Sequence, residues 1–361
     1  MRGKDNLLTA AALAVLGVVA SAQSVELRPA PLYLLPAQVD SNTAAFWRDG
    51  QFHFFSSTGS PLLNSGNSQF EITQSEAVAF PSDAPGPKWI EAVWQDSDGT
   101  LFLWYHHEQV GLCPGSRLTK PNIGAAVSFD GGRTIRDLGI VLDAAGPIDC
   151  SAPNGYFGGG HGDFSVIFNP ADGYFYFFFS NYSGDVQHQG VAVARMALEQ
   201  RYEPVGAVMK YHQGDWLEPG NGGAVTPVFP AAASWNVENT DAFWGPSVHW
   251  NYKLQQYVMV LNRSCCSPGW PQEAIYISFN PDPANPAGWK APQAILGTGN
   301  WYPTILGLGP GETDTYVGET GRLYTWGISE WEIVFLPDNP QEDPIPPPSP
   351  FSGPREPSDP R

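Results

Sequence analysis

Four segments of this chain repeat one pattern. A few β-forming residues that end in an aromatic side chain are followed by a turn and then by a second run of aromatic and β-branched residues. The copies span residues 41–57, 90–107, 163–181 and 245–262, and a weaker fifth copy begins at residue 301. Turns such as Asp-Gly between alternating apolar flanks indicate β-hairpins, because these residues tolerate the positive φ of tight turns. A recurring hairpin cannot bury its faces alone and must stack on its neighbours. The repeat therefore predicts a β-propeller.

The second half of each repeat supports the number of blades. Further strands and return segments follow the hairpins at residues 125–142, 190–209, 274–296 and 322–336, whereas residues 75–82 are the only candidate in the first blade. Four strands per repeat over residues 23–337 fit five blades best. We therefore predict an all-β fold: a single five-bladed β-propeller domain with four antiparallel strands in each blade.

The composition agrees with an all-β chain. Aromatic residues make up 13% of the sequence and charged residues only 15%, whereas charged residues reach about 25% in an average domain. The 39 glycines and 35 prolines supply many turns. No long amphipathic helix is evident, and the chain is long enough to bury one substantial core.

Both ends of the chain fall outside the predicted propeller. Residues 1–22 combine a basic start, an apolar run and the sequence Ala20-Ser21-Ala22, which is the pattern of a cleaved secretory signal peptide. We therefore expect a secreted protein, periplasmic or extracellular, with no membrane span once the signal is removed. Residues 338–361 are rich in proline and poor in apolar residues, so we predict a disordered tail or a truncated linker.

Export affects the expected oxidation state of the four cysteines, which are Cys113, Cys150, Cys265 and Cys266. In an oxidising compartment we expect two disulfides, and the sequence alone leaves three pairings open. The preferred pairing joins Cys113 to Cys150, because both lie in loops that flank the second half of blade two, and joins the adjacent Cys265 and Cys266. The alternative ties the two adjacent cysteines to Cys113 and Cys150. No CxxC or HxxxH spacing accompanies them, so we predict no metal site.

The charge of the chain restricts its partners. A formal net charge of -18 argues against nucleic acid and anionic membranes, because phosphate binding needs clustered Lys and Arg. Abundant Trp and Tyr suit a carbohydrate-binding surface, since aromatic faces stack on the apolar faces of sugar rings, although most of these side chains are expected in the core. We predict a carbohydrate partner, no nucleic acid partner and a monomeric protein.

The strands that open the blades resemble those of the five-bladed glycoside hydrolases, the arabinanase, β-xylosidase and invertase clans. In that family these strands aim carboxylates into the axial funnel: an Asp early in blade one, an Asp in blade three that sets protonation and substrate position, and a Glu at the start of blade four that acts as the acid. The segment DFSVIFNPADGYFYFFF is similar to the family's blade-three pattern, so the resemblance places Asp163 in the second role. The resemblance covers residues 35–335 as architecture and implies a glycoside hydrolase-like function.

Two blades depart from the family's pattern. In blade one the family's Asp aligns with Asn42, but Asp40 lies two residues earlier and would face the same side of a strand. In blade four Trp244-Gly245-Pro246 stands where the family has Glu-Gly-Pro, so another carboxylate has to replace the acid. The predicted catalytic residues are therefore Asp163, Asp40 and Glu91, which opens blade two, because glycoside cleavage generally needs two carboxyl groups. The alternative for each is a structural role at a turn or on backbone amides.

Further residues near the predicted funnel are candidates for substrate binding. His161 precedes Asp163 in a glycine-rich segment that lets the backbone approach a ligand closely, and His249 lies in the strand that opens blade four. Asn42, Trp244 and Trp301 complete the predicted set. A structural role is the alternative for both histidines.

A last polar cluster, His106-His107-Glu108, ends the second strand of blade two. One of the chain's histidines is a candidate to hold water or a cation near the axis. We expect that no cofactor is required. The resemblance also suggests a calcium ion on the propeller axis, because some five-bladed hydrolases have one.

Residues 128–134, SFDGGRT, fit the Asp box of sialidases, except that Ile135 stands where tryptophan is usual. The Asp box is a turn in which Asp and Ser or Thr side chains bond local backbone. It supports a propeller rather than a sialidase, because the arginine triad and the Tyr-Glu pair of sialidases cannot be identified.

Two functions follow from the sequence. The first is a secreted glycoside hydrolase-like enzyme that acts on polysaccharide or oligosaccharide through carboxylates in the axial funnel. The alternative is a non-catalytic carbohydrate-binding or surface-interaction propeller with a degenerate active site, which Trp244 in place of the acid favours. Carboxylates that face a solvent-open funnel favour the enzyme, whereas carboxylates buried in backbone contacts favour the binding protein.

Overall fold

The computed structural model describes residues 24–36, 40–81, 85–297 and 301–337. These residues form five β-sheets of mostly antiparallel strands, and the first strands of consecutive sheets contact one another around one axis. Helical structure in this part of the chain is limited to three 3₁₀ turns, Val186–His188, Leu198–Gln200 and Pro286–Gly288, so no described helix is long and apolar enough to cross a membrane. The predicted all-β, five-bladed propeller is confirmed. The predicted signal peptide (1–22) and disordered tail (338–361) lie outside the described residues.

The first described strand, β1 (Ser24–Leu34), belongs to the last blade, and blade one follows it. Blade one consists of β2 (Ala45–Arg48), β3 (Gln51–Ser57), β4 (Pro61–Gly66) and β5 (Ile72–Ala77). The predicted segment 75–82 overlaps only the end of β5. Strand β4 gave no signal because its sequence, PLLNSG, lacks β-branched and aromatic residues.

Blades two and three contain the strongest hairpin signals. Blade two consists of β6 (Lys88–Gln95), β7 (Leu101–Gln109), β8 (Lys120–Ser128) and β9 (Arg136–Leu142). Blade three consists of β10 (His161–Asn169), β11 (Tyr174–Asn181), β12 (Gly190–Ala197), β13 (Met209–His212), β14 (Asp215–Pro219) and the short β15 (Phe229–Pro230). Blade three is therefore wider than the predicted four strands.

Blade four gains a fifth, short strand from the segment that connects two strands of blade five. Blade four consists of β16 (Ala242–Asn251), β17 (Gln256–Ser264), β18 (Gln272–Asn280) and β19 (Gln293–Gly297). Strand β20 (Pro303–Gly307) opens blade five, and β21 (Tyr316–Val317) then pairs in parallel with β16 of blade four. Blade five is completed by β22 (Thr320–Thr325), β23 (Ile328–Leu336) and strand β1.

Strand β1 closes the ring, which the sequence did not indicate. It pairs antiparallel with β23, from Ser24 opposite Leu336 to Leu34 opposite Ile328. The buried Arg322 side chain strengthens this junction, because it donates to the Pro31 carbonyl at 2.8 Å and to Ser329 Oγ at 2.9 Å. Both ends of the described chain thus lie in one sheet, so that blade one and blade five cannot separate without breaking a strand pair.

Apolar side chains fill the spaces between blades. One cluster joins blades two and three through Phe102, Trp104, Phe175 and Phe177. A second cluster joins blades three and four through Tyr176, Phe178, Val248 and Met259. Each hairpin therefore buries one face against the preceding blade and the other against the next, which is why a single repeat could not fold alone.

The cysteines are paired as preferred from the sequence. Cys113 and Cys150 form a disulfide with Cα atoms 5.4 Å apart, and Cys265 is bonded to Cys266. No free cysteine is present among the described residues. The Cys113–Cys150 bond ties the loop after blade two to the segment between β7 and β8, where the Thr119 amide also donates to the Tyr156 carbonyl at 2.9 Å.

The turn at residues 128–134 is closed by its own side chains. Ser128 Oγ donates to Asp130 Oδ1 at 2.8 Å, and the Thr134 amide donates to the same oxygen at 2.9 Å. The Gly132 amide donates to Ser128 Oγ at 2.9 Å. The kinship of this turn with the Asp box stays a prediction.

Candidate active site

A pocket opens at the end of the axis where the first strand of each blade begins. Its volume is about 130 Å³. All five blades contribute to its lining: Asp40 precedes β2, Trp89 lies in β6, Asp163 in β10 and Trp244 in β16, and Trp301 precedes β20. The blade-opening strands start at one end of the axis, so side chains far apart in sequence meet there. The predicted residues Asp40, Asp163, Trp244 and Trp301 are thereby brought together.

Three carboxylates reach this pocket, from Asp40, Glu108 and Asp163. Burial and the charges of Asp163 and Glu108 raise the pKa of Asp40 to about 6. Burial also raises the pKa of Glu108, although the charge of His106 opposes this change. A carboxyl group such as that of Asp40, which retains a proton under mildly acidic conditions, is suited to act as a general acid.

The imidazole of His106 connects the carboxylates. Its Nδ1 lies 3.3 Å from Glu91 Oε1 and 3.7 Å from Asp163 Oδ1, and its Nε2 lies 4.0 Å from Glu108 Oε1. Burial lowers the pKa of His106, but the hydrogen bond and charge of Glu91, with the charges of Asp163 and Glu108, outweigh burial and raise the pKa to about 9. The negative charges of the three neighbouring carboxylates therefore favour the protonated form of His106.

Glu91, a predicted catalytic residue, lies behind His106 rather than at the pocket surface. Its side chain is 1% exposed. Glu91 Oε2 accepts a hydrogen bond from the Phe164 amide at 2.7 Å, while Oε1 faces the imidazole. Burial raises the pKa of this carboxyl. The contacts give Glu91 a positioning role, because it holds both His106 and the strand that carries Asp163.

The backbone is distorted where the pocket residues are placed. Asp163 has a φ of 41° and lies where the pairing of β10 with β11 shifts register. Trp270 and Tyr302 also have positive φ, 52° and 57°. Non-glycine residues rarely adopt this conformation, and such residues concentrate at functional sites. The Tyr182 hydroxyl donates a hydrogen bond to Asp163 Oδ2.

Gly162 allows the imidazole of His106 to approach β10 closely. A Cβ atom on Gly162 would lie 2.7 Å from His106 Cε1, which is closer than side-chain carbons pack. Glycine is therefore required here for proximity rather than for a turn.

Aromatic side chains form most of the pocket walls. Tyr156 and Trp270 stack with ring centroids 5.1 Å apart, and Trp244 packs edge-on against Trp301 at 5.9 Å. The Trp244 Nε1 group donates to Gln272 Oε1 at 2.9 Å. The remaining aromatic lining residues are Trp89, Phe157, Tyr182, Trp235 and Tyr302. Flat aromatic walls beside a few polar groups suit a ligand with alternating apolar faces and hydroxyl edges, such as a sugar.

Three predicted substrate-binding residues do not line the pocket. Asn42 is 2% exposed, and its amide nitrogen donates to the carbonyls of Phe164 at 2.7 Å and Pro246 at 3.0 Å, which ties blade one to blades three and four. His161 packs on Phe179, and His249 packs on Phe335. For the two histidines, these contacts correspond to the structural alternative that the sequence left open.

The burial of His249 predicts an acid-sensitive step in stability. Burial lowers the pKa of His249 from 6.5 to about 3, so the unfolded chain binds a proton more tightly than the folded chain between these values. Stability from this residue is therefore complete above pH 6.5 and is lost as the pH falls towards 3. We expect His249→Phe to be more stable than wild type by about 2–3 kcal/mol at pH 4, and the two proteins to converge above pH 7.

Urea unfolding at several pH values measures this difference. His188→Phe is the control, because His188 is half-buried in a 3₁₀ turn rather than enclosed. Parallel stability curves for wild type and His249→Phe between pH 4 and 7 would contradict the expected neutral, enclosed state of His249.

Sequence reasoning missed several lining residues. His106 and Glu108 were noted as a polar cluster but not assigned to the site. Strand β7 runs antiparallel to β6 and ends where β6 begins, so the hairpin itself was the available signal. Trp270 and Tyr156 lie in long connections, where no periodic pattern reveals which way a side chain points.

Glu91, His106 and Asp163 also form a cluster whose candidate ligand atoms lie within 4.8 Å of one another. They offer two carboxylates and one imidazole, whereas Ca²⁺ generally takes six to eight oxygen ligands. The cluster therefore does not by itself fit calcium, and the contacts described above account for these side chains without an ion. The other such group among the described residues, Asp241 with Cys265 and Cys266, offers no thiolate because its cysteines are bonded to each other.

Comparison of the sequence with known protein families finds no match, and comparison with curated proteins finds none either. Solved structures, in contrast, resemble the fold. An endo-arabinase from Bacteroides thetaiotaomicron is 9% identical with a TM-score of 0.50, and the match covers 84% of this chain and 95% of that one.

Two further similar structures are arabinanases. An exo-1,5-α-L-arabinanase from a bovine ruminal metagenomic library is 12% identical with a TM-score of 0.49, and the match covers 84% of this chain and 94% of that one. A Bacillus subtilis arabinanase is 15% identical with a TM-score of 0.45, over 83% of this chain and 96% of that one. The expected likeness to five-bladed glycoside hydrolases is confirmed for the fold.

Proposed function

We propose that this protein is a secreted glycoside hydrolase-like enzyme that cleaves a polysaccharide or oligosaccharide in the pocket at the propeller axis. The convergence of Asp40, Glu108 and Asp163 on one aromatic-walled pocket carries the proposal. The propeller architecture is compatible with this chemistry, and the predicted signal peptide would bring the enzyme to extracellular glycans.

Asp40 is the proposed acid, because its pKa of about 6 leaves it partly protonated under mildly acidic conditions. Its proton passes to the glycosidic oxygen as the bond to the anomeric carbon breaks. Glu108, when ionised, accepts a proton from the water that attacks this carbon. One water is consumed, the two sugar fragments leave, and solvent restores the proton to Asp40 and removes it from Glu108.

Asp163 and His106 position and tune this pair. The negative charge of Asp163 raises the pKa of Asp40, and the positive charge of His106 lowers it. The Tyr182 hydroxyl fixes the Asp163 carboxylate, and Glu91 fixes the imidazole. This arrangement supplies a proton donor without the Glu that the resemblance places in blade four, where Trp244 stands instead.

Release of reducing ends from a panel of polysaccharides, including arabinan and β-1,3-galactan, tests the proposal. We expect cleavage of at least one polymer at pH 5 to 6, and Trp301→Ala should raise KM about 3- to 10-fold through lost stacking. Trp216→Ala is the matched control, because Trp216 packs on Tyr211 in blade three, outside the pocket. Absence of both cleavage and binding across the panel would refute a carbohydrate site.

A non-catalytic carbohydrate-binding propeller is the second candidate, and one observation favours it. Trp244 occupies the expected position of the blade-four acid and its indole is already bonded to Gln272. Saturable binding of a glycan without release of reducing ends at any pH from 4 to 8 would select this second function.

A further inference from the structure

A second cavity lies at the opposite end of the propeller axis. Its volume is about 600 Å³, within the range of roughly 300–1,000 Å³ that small-ligand sites occupy. Its lining includes the ends of the strands that open blades two, three and four, through Gln95, Asn169 and Trp250. The candidate active site lies at the beginning of these strands, so the two cavities are separate.

The second cavity is lined largely by apolar and aromatic groups. Trp94, Phe168, Trp250 and Tyr316 line it and are each half-buried, so parts of their rings remain open to a ligand. Its charged lining residues are Asp172 and Asp282, and no Lys, Arg or His lines it among the described residues. The site therefore suits an uncharged, extended and apolar occupant, with a cation outside the mouth.

The described chain ends at the same end of the propeller as this cavity. Strand β23 starts near the active-site end, because the Trp326 amide just before it donates to the Trp301 carbonyl at 2.7 Å. It then runs to Leu336 at the opposite end. Phe335 belongs to the same buried cluster as Val317, and the adjacent Tyr316 lines the cavity. The last described residue, Pro337, therefore lies at this end of the propeller.

The sequence beyond this point has the chemistry that the cavity suits. Residues 344–351 read PIPPPSPF, with five prolines, two large apolar side chains and no charge, and Arg355 follows. Proline-rich segments adopt the polyproline II helix, which aromatic-lined grooves bind at low entropic cost. Six residues separate position 337 from position 344, and an extended chain of that length reaches about 20 Å.

We propose that residues 344–351 of this chain bind in the cavity at the opposite end of the axis from the active site. The prolines and Phe351 contact the aromatic walls. A segment that cannot form its own core can still be bound in this way, because the cavity supplies the apolar partner.

Photocrosslinking in the full chain tests the proposal. Photoreactive benzoylphenylalanine in place of Phe351 is expected to crosslink within one chain to residues 166–175, 250–257 or 315–316, which line this cavity, as mapped by mass spectrometry. Replacement of Pro346, Pro347 and Pro348 by glycine should reduce this yield about tenfold, because a flexible segment loses the preorganised helix. The matched control places the same label at Asp359, beyond the proposed contact.

Four outcomes would count against the proposal. Crosslinks that map to the active-site end or to the outer strands would place the segment elsewhere, and no intramolecular crosslink would leave the cavity without this occupant. Concentration-dependent crosslinks between chains would assign the cavity to a segment of a second copy. An unchanged yield in the glycine variant would remove polyproline II recognition as the cause.

Discussion

Asp40→Asn is expected to lower the turnover of a cleaved polysaccharide by about 10²-fold or more, because asparagine has no proton to give to the leaving oxygen. The pKa of Asp40 is about 6. Wild-type activity should therefore fall as the pH rises above 6, where the acid ionises, and this decline should be absent from the residual activity of the variant. Steady-state rates from pH 4 to 8 measure both effects.

The same variant should be more stable than wild type above pH 6. The pKa of Asp40 in the folded protein is raised above its ordinary value of 3.8, so the stability that its protonation contributes is present below pH 4 and is lost as the pH rises through 6. Asparagine does not ionise and avoids this loss. The gain is expected to be about 1 kcal/mol, since partial exposure screens the charges around Asp40.

Asp49→Asn is the matched control, because Asp49 is an exposed carboxylate in the hairpin of the same blade. It should change neither rate nor stability measurably. A folded Asp40→Asn protein with wild-type turnover would remove Asp40 from the proposed chemistry and leave Glu108 as the acid to examine.

Asp163→Asn is expected to reduce turnover by about 10²-fold, because a positioned charge next to the reacting groups is lost while the shape of the side chain is kept. The charge of Asp163 raises the pKa of Asp40. Its removal should therefore shift the decline of activity with pH to lower values. The pH profile distinguishes this tuning role from a general loss of folding.

Asp172→Asn provides a chemically matched control. Asp172 also accepts a hydrogen bond from a tyrosine, with the Tyr176 hydroxyl at 2.6 Å, but it lies at the far end of blade three. We expect its replacement to leave turnover and the pH profile unchanged. If Asp163→Asn instead costs about 1–3 kcal/mol of stability and keeps wild-type turnover per folded molecule, Asp163 only ties down its strand.

The sequence predicted the blades because hairpin signals are local. Asp-Gly turns and aromatic runs such as those around Asp49-Gly50 and residues 163–181 lie within one short segment, and the number of repeats follows from counting them. The ring closure was not predictable in this way. Strand β1 pairs with β23 from the other end of the chain. No local pattern in Ser24–Leu34 indicates the strand with which it pairs.

The residues of the candidate site likewise fall into those predictable from the local sequence and those that depend on the tertiary structure. Asp40, Asp163, Trp244 and Trp301 were found from the sequence because they lie at the beginning of blade-opening strands, which a propeller necessarily brings to one end of its axis. The positions of Asn42, just before β2, and of His249, in β16, gave a similar signal. Their side chains instead meet backbone carbonyls and Phe335, since the direction of a side chain depends on neighbouring blades.

Only the tertiary structure showed that His106 stands among Glu91, Glu108 and Asp163. The pKa values of Asp40 and His106 depend on burial and on charges contributed by other blades, and neither quantity is a property of the local sequence. Periodicity and turn chemistry act between residues close in the chain and so determined the architecture. Electrostatic interactions, burial and the shape of the pocket depend on residues from different blades. Only the tertiary structure therefore determined them.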